Sequence, residues 1–114
     1  MRASLLAFAM VLGAGAALAG DTPAPRDAAV YFISPLNGDV VSSPVTVVFG
    51  LQGMGVAPAG TEKENTGHHH LLIDAPTPTG DALNKPIPTV DNHIHFDGGQ
   101  TEASIELAPG THSL

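Results

Sequence analysis

The segment SPVTVVFGLQ, residues 43–52, sets the kind of fold this chain can adopt. Val45, Val47, Phe49 and Leu51 share one side of an extended backbone, and Thr46, Gly50 and Gln52 share the other. Apolar residues at every second position suit a strand with one buried face, and on a helix they would scatter around the axis. The same alternation returns in TEASIEL, residues 101–107, with Ala103, Ile105 and Leu107 as the inward set. AVYFIS (29–34), HHHLLID (68–74) and NHIHF (92–96) complete the short strands. Turn and loop residues separate them. Asn37-Gly38 and DGGQ (97–100) mark turns, while 53–67 and the proline-rich 75–91 are loops. No helical period appears beyond the N-terminal segment. The expected fold is therefore all-β: a small immunoglobulin-like antiparallel β-sandwich over residues 29–114. The closing THSL starts a strand with His112 and Leu114 on one face, so the sandwich is expected to be incomplete at its C-terminal end.

The first 19 residues belong to a different category. Arg2, an apolar run and Ala17-Leu18-Ala19 match a secretory signal peptide cleaved near Ala19. The run is too short and too rich in small residues to span a bilayer, so no membrane span is expected after cleavage. Residues 20–28 read as a disordered polar leader. The expected location is periplasmic or secreted. With no cysteine in the chain, a lipid anchor on cysteine, a disulfide framework and thiolate chemistry are all excluded. Arg26, Lys63 and Lys85 face eleven carboxylates, a balance that argues against nucleic-acid binding and favours cations near the surface.

That leaves six histidines, five of them in HHH (68–70) and HIH (93–95). If Leu71 and Ile73 point to the core, His69 points with them and His68 and His70 point outward. By the same rule Ile94 and Phe96 point inward and His93 and His95 outward. Each H-x-H pair thus has both rings on one side, because side chains repeat every second residue. A hairpin through DGGQ would set Phe96 against Thr101, His95 against Glu102 and Ile94 against Ala103. Glu102 would then stand about 4.5–5.5 Å from His95, measured between Cβ atoms, able to orient an imidazole or bind an ion. His68, His70, His93, His95 and Glu102 are accordingly the candidate metal ligands. Imidazole suits copper and zinc, and Cu(II) favours a nitrogen-rich set without thiolate. Met54 could serve a softer copper state. Binding is expected to weaken as pH falls through about 6.5, where free histidines protonate. His69 and His112 share faces with apolar residues and read as ordinary polar strand residues.

GHHHLLID, NKPIP, NHIHFDGGQTE and PGTHSL, with SPLNGDVVSSPVTVVFGLQGMGVAPAG, resemble a family of small exported bacterial domains known as domain of unknown function 4399. The resemblance runs from about residue 30 onward. It implies an exported β domain and gives no activity. Members of that family usually carry a third glycine where Asp97 stands, and they continue through further strands, so the resemblance also implies a chain truncated at its C-terminus.

Three functions fit these residues. The first is an exported, non-enzymatic module whose partner is a metal ion. The second is a structural or interaction module that meets an envelope protein through a polar, pH-responsive face. The third is a copper- or zinc-dependent oxidoreductase. Against an enzyme, there is no nucleophile elbow, phosphate loop or H-E-x-x-H.

Overall fold

The computed structural model describes residues 23–88 and 90–114. The signal peptide expected over residues 1–19 lies outside the described residues. Residues 25–28 form a turn closed by the Ala28 amide on the Pro25 carbonyl at 3.0 Å. The described residues then form seven strands: β1 Ala29–Ser34, β2 Val45–Gln52, β3 Gly55–Val56, β4 Thr66–Gly67, β5 His70–Leu72, β6 His93–His95 and β7 Glu102–Ile105. A 3₁₀ turn, Gly80–Asn84, interrupts the loop between β5 and β6. Among the described residues, no helix is long and apolar enough to cross a membrane.

The domain is all-β and its larger sheets are antiparallel. One sheet has the order β1-β2-β7, and a second pairs β5 with β6. β3 and β4 form a two-residue parallel pair inside the segment expected to be loop. Between β1 and β2 the chain turns at Asn37-Gly38 as expected. The Asp39 amide bonds the Leu36 carbonyl at 3.0 Å, and Gly38 takes the positive φ of 84° that the turn requires.

Alternation in β2 becomes the core. Val45, Val47 and Phe49 are buried, as is Ile105 from β7, and Leu71 and Phe96 meet them from the other sheet. The Phe49 ring lies 5.0 Å from Phe96, centroid to centroid, joining the two layers. Gly50 is also buried although it faces away from this cluster. Tyr31 is its cross-strand partner, and the Tyr31 ring occupies the space that a Cβ on Gly50 would need.

One expectation fails. β6 and β7 do not pair as a hairpin. β6 pairs with β5, and β7 pairs with β2 in the other sheet, where Glu102 stands opposite Val48 and not opposite His95. Asp97–Gln100 carries the chain from one layer to the other. Its ends continue the two ladders through Phe96 N–H to the His69 carbonyl (3.0 Å) and Phe49 N–H to the Thr101 carbonyl (2.9 Å). The Asp97 carbonyl meanwhile accepts from the Ala59 amide at 2.8 Å. Crossing gives both sheets an inward face over the same core, which a single hairpin would not.

Candidate metal centre

Pairing of β5 with β6 places His70 opposite His95, Leu71 opposite Ile94 and Leu72 opposite His93. Leu71 is buried and Ile94 packs against the core, so His70 and His95 lie together on the outer face. His93 is the diagonal neighbour of His70, and His68 stands two residues before it on the same side. All four rings meet. His70 stacks on His95 with centroids 4.5 Å apart and planes 7° apart, and meets His93 edge to edge, with centroids 4.9 Å apart and planes 19° apart. His68 lies 4.7 Å from His95 and 4.8 Å from His70, again between centroids.

The nitrogens divide these rings into two roles. His68, His70 and His95 each offer a ligand atom, and these atoms lie within 4.8 Å of one another. The Nε2 atoms of His68 and His70 are 2.9 Å apart. His93 has both nitrogens engaged elsewhere: Nε2 with His70 Nδ1 at 2.7 Å, and Nδ1 with the Pro88 carbonyl at 2.9 Å. Met54 lines a small cavity beside Gly67 and the three consecutive histidines.

The two remaining histidines do other work. His69 is buried with its ring 4.9 Å from that of Phe49, and its Nε2 has no hydrogen-bond partner among the described residues. His112 faces two acceptors, the Asp74 carboxylate at 2.7 Å from Nδ1 and the Ala108 carbonyl at 2.6 Å from Nε2. Asp74 also accepts the Ser113 amide at 2.7 Å, and its own amide bonds the Ser113 carbonyl at 2.8 Å. The segment after β7 is thus pinned to the end of β5, a link between residues 38 and 39 positions apart that no local pattern announces. The positive φ of Asp74, 53°, is one that Asp tolerates better than most residues.

Burial, then the neighbouring His68, His95 and His93, pushes His70 down to about 4. His68 is lowered by burial and His95, against a smaller opposing pull from Asp97, and His69 is lowered by burial and His68. In contrast, hydrogen bonds to Asp74 and the Ala108 carbonyl raise His112, and the His112 bond depresses Asp74.

These directions make a testable pattern. Below about pH 6.5 the unfolded chain protonates His68, His69 and His70 while the folded chain resists, so through these three the unfolded state binds more protons and stability falls with acidification. For His70 that loss extends down to about pH 4. His112 acts oppositely: its contribution is complete below about 6.5 and disappears as pH rises through its raised folded value. The Asp74 contribution is present above 3.8 and is lost as pH falls through its depressed folded value. Thermal unfolding across pH should therefore show His70→Ala flattening the acidic decline and His112→Ala flattening the alkaline one. Identical pH profiles for either variant and the parent would contradict the corresponding assignment.

The family model of a domain of unknown function, DUF4399, matches residues 47–114. The chain belongs to the DUF4399 family. The matched stretch of this DUF4399 chain contains all six histidines and the strands that carry the cluster, while β1 precedes it. No curated protein and no solved structure matches the chain.

Proposed function

We propose that this DUF4399 chain is an exported, non-enzymatic module, periplasmic or secreted, that binds a divalent transition metal, copper ahead of zinc. The ligands are His68, His70 and His95. The observation that carries this reading is the convergence of their three ring nitrogens within 4.8 Å on the outer face of β5 and β6. A neutral imidazole can coordinate, and His70 is kept neutral far into the acid range. Copper ranks ahead of zinc because the three donors are imidazole nitrogens with no thiolate, and affinity at such sites follows the Irving–Williams order. Glu102, in the other sheet, has no part in this reading. Export rests on the N-terminal apolar run and Ala17-Leu18-Ala19.

Calorimetric titration of tag-free protein tests the proposal. One Cu(II) per chain should bind, more tightly than Zn(II), in keeping with the order of affinities at nitrogen sites. Stoichiometric Zn(II) binding with no preference for copper would overturn the choice of metal, and binding of neither would overturn the site. A second reading, an interaction module for an envelope protein, is favoured by one observation. Val30, Ile33, Leu36 and Val40 leave apolar surface exposed along β1 and the turn after it.

A further inference from the structure

We propose that His93 is a positioning residue that fixes the tautomer of His70 through a one-way chain of hydrogen bonds ending on the Pro88 carbonyl. The inference rests on the metal-site reading for its consequence and on hydrogen-bond geometry for its content. A carbonyl oxygen only accepts, so the 2.9 Å contact requires the proton of His93 to sit on Nδ1. A neutral ring with Nδ1–H has a bare Nε2. That nitrogen is 2.7 Å from His70 Nδ1, which must therefore donate. His70 in turn keeps Nε2 bare and accepts there from His68 Nε2–H at 2.9 Å. The chain runs from His68 through His70 and His93 to Pro88.

This direction matters to a metal. His70 presents a lone pair at Nε2, the nitrogen that faces His68, with no proton to move. His68 carries its proton on Nε2 and has to transfer it to Nδ1 through solvent before that nitrogen can coordinate. His70 is thus the preset anchor of the site, and His93 is the reason. A histidine ligand whose second nitrogen donates to a fixed acceptor is the usual way a protein orients an imidazole, and such partners are worth about 10–100-fold in metal affinity. Here the acceptor is a second histidine, itself fixed by the backbone carbonyl of the loop before β6.

The test begins with the metal-free protein. Long-range proton–nitrogen correlation spectra of ¹⁵N-labelled protein at neutral pH should show His70 and His93 as Nδ1–H tautomers. In His93→Ala the His70 resonances should move toward the Nε2–H form. In His93→Gln, whose amide oxygen can accept, they should stay near the parent. Cu(II) titrations should then show a loss of about 10–100-fold in His93→Ala and recovery of most of it in His93→Gln. An Nε2–H tautomer at His70 in the parent would overturn the proposal, as would an unchanged tautomer and affinity in His93→Ala. If the tautomers are as stated and no variant binds copper, the relay stands and the metal reading fails.

Discussion

His70→Ala should lower affinity for Cu(II) by more than about 100-fold, beyond the range expected for partners of a ligand. The expectation follows from position. His70 is the ring that the other three touch: it stacks on His95, its Nδ1 meets His93 Nε2, and its Nε2 meets that of His68. In the proposed site, removing it takes away a ligand and also the surface that its neighbours touch. Nothing in the core depends on it, since Leu71 and not His70 turns inward from β5. The variant should therefore fold, and its titration should report binding alone. His69→Ala and His112→Ala change histidines outside the converging group, and their copper affinity should stay near that of the parent. Equal losses in all three would mean that binding is diffuse and not a site.

Phe49→Ala should cost about 3–5 kcal/mol of folding stability, the range for removing a buried aromatic side chain. Small domains have only about 5–15 kcal/mol in total, so this variant approaches the limit of folding. Phe49 is the side chain that joins the layers. Its ring is 5.0 Å from Phe96, 4.9 Å from His69 and 6.3 Å from Phe32, centroid to centroid. Val47, fully buried beside it, cannot close the space left. Urea denaturation would measure the loss. A change under about 1 kcal/mol would place Phe49 outside the core.

Faces were legible in the sequence, and neighbours were not. Alternation put Val45, Val47, Phe49, Leu71, Phe96 and Ile105 inward, and all six are buried. It also put His68, His70, His93 and His95 on one outer face, where their rings meet. The same alternation is satisfied whichever strand lies alongside, so it could not decide between a β6–β7 hairpin and the observed β5–β6 pairing. DGGQ read as a reversal because its residues suit a turn. In the fold it carries the chain across to the other sheet, with the Gln100 side chain accepting the Gly98 amide at 2.8 Å. Glu102 travelled with that error. The pair β3–β4, two residues each, is shorter than any period that could reveal it. What sets His93 apart from the other three rings also lay beyond sequence, because it is a contact with the carbonyl of Pro88 from a loop. His112 and Asp74 met for the same kind of reason, through the path of the chain after β7.

The most direct measurement of the central claim is electron paramagnetic resonance of the tag-free protein loaded with one equivalent of Cu(II). A site made by His68, His70 and His95 predicts a single axial signal with splitting from three equatorial nitrogens. That signal should be lost in the triple alanine variant of these residues. A spectrum that the triple variant reproduces, or one without nitrogen splitting, would contradict the claim that these imidazoles hold the metal.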